Sequence, residues 1–182
     1  ESKIIPQISF SQGTQHILEV IGSIFAFGII MYTALLLGAS FGRPFWGTPI
    51  LPYLFLSSGL LTGLAAISLA LLSKEEWRKP IPDFLQLFVI LLTLEIFLAV
   101  LALATVDAPE SITALVTGDL SIFFIVGVLI VGIFIPLIVA LYSMPKKEVS
   151  YNISGLNFVL VLIGGFLLRY VIVVGGQVPP IL

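Results

Sequence analysis

Five apolar stretches of about 20 residues, separated by short polar loops, restrict the fold of this 182-residue chain more than any other feature. Hydrophobic residues make up 59% of the sequence and charged residues 10%, whereas a soluble domain averages about 25% charged residues. A bilayer-spanning helix needs about 20 mostly apolar residues, because lipid cannot satisfy backbone polar groups. The sequence therefore predicts an all-α, polytopic transmembrane helical bundle with about five spanning helices.

The predicted helices lie between polar and turn-forming residues within a single transmembrane domain, 1–182. They cover residues 14–38, 51–72, 83–104, 119–142 and 153–174. Asp83 follows two prolines and is expected to cap the third helix. Pro136 is expected to kink the fourth helix, because proline removes one backbone hydrogen bond. The polar stretch 105–118 is expected to form a short surface helix in its central part.

The loop charges predict how the bundle is oriented. With five spans, six basic residues share the side of the N-terminus: Lys3, Lys74, Arg78, Lys79, Lys146 and Lys147. The opposite side carries Arg43 and the acidic stretch 105–118. Because positive residues stay inside, we expect the N-terminus in the cytoplasm and the loop 39–49 outside.

Composition also excludes several kinds of site. The formal net charge of −2 gives no electrostatic basis for nucleic-acid binding. The chain has no cysteine, which excludes cysteine-ligated iron–sulfur clusters and c-type haem attachment within it. His16 is the one histidine, so ligation of a haem by two histidines of this chain is impossible. We expect no resident metal, haem or cluster and no catalytic residue acting alone.

Ionisable residues inside the spans are the main chemical signal, because they are costly in a bilayer and usually face a partner or an interior path. Glu95 lies near the middle of the third span, about 18 Å from either end. We expect a proton-relay role or a structural hydrogen bond to a neighbouring helix. His16 and Glu19 share one helix face near the cytoplasmic end. They form either a proton entry point or an interfacial pair near the lipid headgroups.

A second set of residues is predicted near the outer surface. Arg169 lies about 9 Å deep in the last span, and Tyr32 lies at a similar depth in the first. Arg43, Trp46 and Asp107 are expected just above them. Hydrogen-bond donors and a proton acceptor beside aromatic side chains are what a quinone headgroup requires. The alternatives are an aromatic belt for Trp46, lipid phosphate binding for Arg43, and pairing of Arg169 with Asp107 or Glu95.

Small residues in the helices indicate close packing. Gly59 and Gly63 form a GxxxG pattern in the second span, Gly22 and Gly28 lie in the first, and Gly164 and Gly165 are adjacent in the fifth. Because small residues let backbones approach closely where lipid removes the hydrophobic driving force, we interpret these glycines as helix contacts.

Four segments resemble one known family. They are YTALLLGA (32–39), GRPFWGTPILPYLFLSSGLLTGLA (42–65), LLTLEIFL (91–98) and GGFLLRYVIVVGGQ (164–177). Together, in this order, they resemble the NrfD/PsrC family of polysulfide-reductase-type, quinone-reactive membrane subunits. Gly47 and Ala34 depart from residues that are frequent in the family. The helical hairpin of residues 32–64, which carries the family signature, lies near the middle of family members. Here it follows the first helix, so we expect the family's N-terminal helices to be missing from this chain.

The resemblance implies a function that the residues alone do not. It implies a membrane anchor in the prokaryotic inner membrane that exchanges electrons between menaquinone or ubiquinone and an iron–sulfur subunit on the outer, periplasmic face. A molybdopterin or multihaem cytochrome subunit would complete the complex, and another membrane chain would complete the quinone pocket if the early helices are absent. Whether protons are translocated stays open. The alternatives are a proton- or ion-coupled transporter and a purely structural anchor.

Overall fold

The structure is a computed structural model that describes residues 11–40, 42–73, 75–143 and 151–177, with the backbone alone at Glu76. The described residues form helices and no strands. The helices are α1 (Gln12–Gly38), α2 (Leu51–Leu72), α3 (Ile81–Thr105), α4 (Pro109–Val116), α5 (Ile122–Ser143) and α6 (Tyr151–Gly175). All except α4 are long and apolar enough to cross a membrane. The predicted all-α bundle of five spans is confirmed, and α4 is the expected short helix.

The start of α3 differs from the prediction. Pro80 occupies the N-cap position, helix begins at Ile81, and no side chain caps it. Pro82 fits within the first turn, because the N–H that proline lacks would have no helical partner there. Asp83 therefore lies inside the first turn, where its charge favours the helix dipole without capping it. The expected cap at Asp83 was wrong.

Helix α5 changes type along its length. Residues Ile122–Phe134 are π-helical, with wider turns, and Ile135–Ser143 are α-helical. The change falls next to Pro136, which is buried and was expected to distort this helix. Asn157 Nδ2 of α6 donates to the Pro136 carbonyl oxygen at 3.2 Å, so a side chain of the neighbouring helix supports the irregular segment.

Helices α2 and α6 form the centre of the bundle, and α1 lies at its edge. The pair α2 and α6 pack against each other, α3 packs on α2, and α5 packs on α6. Helix α1 packs mainly on α2 and buries one of its described residues, Ala34. Most other side chains of α1 are thus open to lipid or to another protein surface.

Specific contacts fix how far the helices are shifted along one another. Gly165 of α6 lies beside Thr62 of α2, and Gly155 lies beside Leu72. The two helices therefore run antiparallel in this register. Phe88 of α3 packs edge-on against Phe158 of α6 with ring centroids 5.3 Å apart. Counting seven residues onward along both parallel helices brings Glu95 to the level of Gly165.

The glycine predictions hold at three of six positions. Gly164 meets the backbone of Gly132 in α5, which is the closest approach between those helices that the glycine contacts reveal. Gly165 packs on Thr62, and Gly59 packs on Ile30 of α1. An added Cβ at Gly22, Gly28 or Gly63 would meet no atom within 4 Å among the described residues, so a packing role for these three was wrong.

Candidate functional site

Glu95 is buried in the middle of the bundle. Its side chain is 3% exposed, and it faces Ser58 of α2 and Arg169 of α6. The Glu95 carboxylate and the Arg169 guanidinium lie more than 4.0 Å apart, too far for a salt bridge, but near enough for their charges to attract. Ser58 Oγ is directed at the carboxylate, although no hydrogen bond of standard geometry joins them. Opposite charges in proximity reduce the cost of placing either one in a membrane interior.

The small residue at position 165 makes room for the arginine. Arg169 Nη1 donates to the carbonyl oxygen of Gly165 at 2.8 Å, one turn earlier in the same helix. A Cβ at Gly165 would lie 3.3 Å from Arg169 Nη1 and would overlap Thr62. Glycine is therefore required for the guanidinium to lie between α6 and α2. This fold of the side chain brings the charge of Arg169 back toward the level of Glu95.

An apolar cavity adjoins this charged pair on the side of the bundle that carries residues 42–49, which we call the loop end. It has a volume of about 40 Å³ and is partly open to the surroundings. Ala99 lies one turn beyond Glu95, and Leu168 precedes Arg169, so the cavity begins where the charged pair ends. The other lining residues are Phe45, Thr48, Leu51, Leu54, Ala102, Leu103, Val106, Leu115, Phe124, Val171 and Ile172. The lining suits an apolar ring or chain.

The loop after α1 closes the loop end by binding the last turn of α6. Trp46 Nε1 donates to the Ile172 carbonyl oxygen at 2.9 Å, and Arg43 Nη1 donates to the Gln177 carbonyl oxygen at 2.9 Å. The last carbonyls of a helix have no partner within the helix, and its C-terminus favours a positive charge. Trp46 and Arg43 supply hydrogen-bond donors there, and Arg43 also supplies the positive charge. Beneath them Phe45 is buried next to Gly175.

The residues that were predicted to lie together because of their similar depth are separated in the structure. Arg169 lies with Glu95, whereas Arg43 and Trp46 lie at the end of α6. Tyr32 is 64% exposed on α1, and Asp107 is exposed after α3. Of the open alternatives for Arg169, the structure favours interaction with Glu95.

His16 and Glu19 form a pair on the outside of α1. His16 Nδ1 and Glu19 Oε2 are 3.7 Å apart, and the side chains are 80% and 75% exposed. Among the other residues of the sequence analysis, Lys3, Lys74, Lys146 and Lys147 lie outside the described residues.

Sequence reasoning missed several buried polar residues, among them Ser68 of α2 and Ser154 and Asn157 of α6. Ser68 Oγ, Ser154 Oγ and Asn157 Oδ1 have no hydrogen-bond partner among the described residues. Each such group costs about 1–3 kcal/mol when it stays unsatisfied. Ser68 lies on the face of α2 that packs against neighbouring helices. Its position on that face was the sequence feature that could have predicted its burial.

Taken together, the apolar helices and the buried charged pair define a multi-pass helical membrane protein. The family model described as "Polysulphide reductase, NrfD" matches residues 3–180. The chain belongs to the NrfD family.

Two curated relatives support this assignment. The C subunit of the polysulfide reductase of Wolinella succinogenes is 31% identical over 169 residues, covering 88% of this chain and 53% of the relative. An NrfD homolog of Haemophilus influenzae is 33% identical over 168 residues, covering 88% and 52%. The chain thus spans about half the length of these relatives. No solved structure matches the chain.

Proposed function

We propose that this chain is the quinone-interacting part of an integral membrane subunit in a respiratory oxidoreductase complex. It exchanges electrons between membrane quinone and an iron–sulfur partner subunit. The observation that carries this proposal is the buried Glu95–Arg169 pair, one helical turn from an apolar cavity, in a chain of the NrfD family. One relative is named as a subunit of polysulfide reductase, which is a redox enzyme by its name.

The charged pair and the cavity offer complementary chemistry. The cavity is apolar, and at about 40 Å³ it would have to widen to take the ring or tail of menaquinone or ubiquinone. Arg169 keeps guanidinium N–H groups beyond the one bound to Gly165, and these are suited to a quinone carbonyl oxygen. Glu95 is the carboxyl group that would give or accept the proton that accompanies quinone chemistry. Neither side chain lines the cavity, but Ala99, one turn beyond Glu95, and Leu168, next to Arg169, do.

Four other predicted residues have proposed positions around this centre. Arg43 and Trp46 hold the rim of the loop end through their bonds to α6. Asp107 is exposed near that rim. Tyr32 faces outward from α1, so its proposed contact with a quinone requires further helices or another membrane chain packed on α1. The exposed His16–Glu19 pair requires the same covering to serve as a proton entry point.

The loop end is the proposed docking face for the iron–sulfur subunit. Its hydrogen bonds to α6 make the loop a fixed surface, and Pro44, Gly47 and Pro49 are exposed on it. A molybdopterin or multihaem cytochrome subunit would lie beyond that partner. The loop charges support a periplasmic position for this face and a cytoplasmic N-terminus, in a prokaryotic inner membrane.

Purification of the native complex in a mild detergent tests the proposal. We expect the chain to co-purify with an iron–sulfur protein, measured by iron content and mass spectrometry, and the complex to react with a soluble quinol analogue. A preparation that contains only copies of this chain and no iron would overturn the redox assignment. Substrate-driven ion flux in vesicles of that preparation would support the transporter alternative.

A further inference from the structure

The half of the bundle away from the loop end contains a group of buried polar side chains that the proposed quinone site does not use. This group, the inner polar cluster, consists of Ser68, Ser154 and Asn157. Their exposed fractions are 0%, 1% and 1%. Ser68 Oγ, Ser154 Oγ and Asn157 Oδ1 find no hydrogen-bond partner among the described residues.

The three residues lie in the same half of the bundle, on α2 and α6. Because Gly155 of α6 lies beside Leu72 of α2, the antiparallel register brings residues 154–157 to the level of residues 70–73, and Ser68 lies two residues nearer the loop end. Asn157 also reaches α5, where its Nδ2 donates to the Pro136 carbonyl oxygen at 3.2 Å. The inner polar cluster therefore lies on α2 and α6, and Asn157 connects it to α5.

Ser68 does not use the bond that other hydroxyls in this chain use. Ser23, Thr93 and Ser143 each donate to the carbonyl four residues earlier, at 2.7, 2.8 and 2.7 Å. That carbonyl is available to a serine in the interior of an α-helix. Ser68 Oγ does not bind it and, like Ser154 Oγ, is buried and needs a partner in the interior. Water is the molecule that satisfies buried hydroxyl and amide oxygens together, because it both donates and accepts.

An apolar layer separates the inner polar cluster from Glu95. Leu92 of α3 and Val161 of α6 are both buried between the two levels. Asn157 is eight residues below Gly165, which corresponds to about 12 Å along the helix. A proton moving from the cluster to Glu95 would have to cross this layer with the help of a few transient water molecules.

We propose that the inner polar cluster binds internal water and that this water delivers protons to Glu95 from the cytoplasmic side. The water-binding part stands alone, whereas the delivery part rests on the proposed function. In each transfer the Glu95 carboxylate gains one proton, the cluster water loses one, and bulk water replaces it; no electron moves. This route runs inside the bundle and needs no partner on α1.

Hydroxyl-radical footprinting of the whole complex, with a short X-ray pulse and mass spectrometry, tests the water. Radicals form from water in place, so a buried side chain is labelled only where water is present. We expect labelling of buried Phe158, and a several-fold loss of it in Asn157→Leu. The matched control is Asn152→Leu, which changes an exposed asparagine on the same helix and leaves the labelling unchanged. Absence of label at Phe158 in the unmodified complex would overturn the water site.

Proton uptake during quinone reduction tests the delivery. We expect Asn157→Leu, and separately the double variant Ser68→Ala/Ser154→Ala, to slow proton uptake about tenfold or more. Binding of a short-chain quinone analogue should stay unchanged, since the cluster lies away from the cavity. The serine variants remove little volume, so they keep the test valid if the leucine variant does not fold.

The two proposals fail in different ways. If the unmodified complex reacts with quinone and both variants take up protons at its rate, the delivery route is wrong and the proposed function stands. If the unmodified complex does not react with quinone while Phe158 is labelled, the proposed function is wrong and the water site stands.

Discussion

Trp46 Nε1 donates a hydrogen bond to the Ile172 carbonyl oxygen at 2.9 Å, across 126 residues of sequence. Arg43 makes the equivalent bond to Gln177. The loop of residues 42–49 thus holds the end of α6. An aromatic-belt role for Trp46 or a lipid-phosphate role for Arg43 would not have required these bonds. The tryptophan and arginine are structural groups of the loop end whatever they add to a binding site.

Replacing Trp46 by phenylalanine tests the loop anchor. Trp46→Phe keeps an aromatic ring but removes the indole donor, which leaves the Ile172 carbonyl with one hydrogen bond, from the Gly176 N–H, in place of two. We expect a loss of about 1–2 kcal/mol in unfolding free energy, seen as a lower thermal midpoint of the detergent-solubilised protein. Tyr53→Phe, at an exposed aromatic residue of α2, is the control and should leave the midpoint unchanged.

Gly176 gives an independent test of the same anchor. A Cβ at this position would overlap the Trp46 indole, so Gly176→Ala should displace the ring. We expect reduced protection of Trp46 from an oxidising reagent and a lower thermal midpoint. Gly22→Ala places a methyl group where no atom lies within 4 Å and is the matched control. Equal Trp46 protection in the two variants would contradict the described contact.

The close approach of α5 and α6 depends on having no side chain at the contact. Gly164→Val would force a branched side chain against the Gly132 backbone. Overpacking of this kind costs about 1–3 kcal/mol, so we expect a lower thermal midpoint and lower yield of folded protein. Gly63→Ala, at a glycine that faces open space in α2, should be close to neutral.

Glu95→Gln keeps the shape of the side chain and removes its charge. We expect quinol turnover of the complex to fall by about 10²-fold, while assembly of the complex is retained. Asp83→Asn, which changes an exposed carboxylate at the start of the same helix, is the control. Turnover of Glu95→Gln equal to that of the control would exclude a proton-transfer role for Glu95.

A double-mutant cycle measures the Glu95–Arg169 interaction itself. Glu95→Leu alone leaves the Arg169 guanidinium without its buried counter-charge, and such a change costs about 3–5 kcal/mol. Adding Arg169→Leu should recover part of that loss in unfolding free energy. Additive effects of the two substitutions would show that the groups do not interact.

The helices were predictable because each apolar run has the length of a membrane span, and this length is read directly from sequence. The arrangement of the site was not. Counting residues gives depth along a helix, and it placed Tyr32 with Arg169. The direction of a side chain around the helix depends on which face packs, and α1 packs through the face that bears Ile30. Tyr32 consequently points away from the bundle.

The polar interior shows the same limit. Glu95 was recognised because a carboxylate in a membrane span is costly, whereas Ser68 and Ser154 are compatible with a helix whether or not they are buried. Their significance comes from burial without a hydrogen-bond partner among the described residues, which only the folded structure reveals. The preference of Asp for the N-cap position suggested that α3 begins at Asp83, but the helix begins one residue after Pro80.

The bond from Trp46 to Ile172 also bears on how the protein is made. The loop is synthesised and inserted early, but the carbonyl groups that hold it are added 126 residues later. Until α6 has entered the membrane, the Trp46 N–H lacks its acceptor on that helix. A completed loop end therefore reports that the last helix is in place, and any partner that recognises this surface would select fully inserted chains over truncated ones.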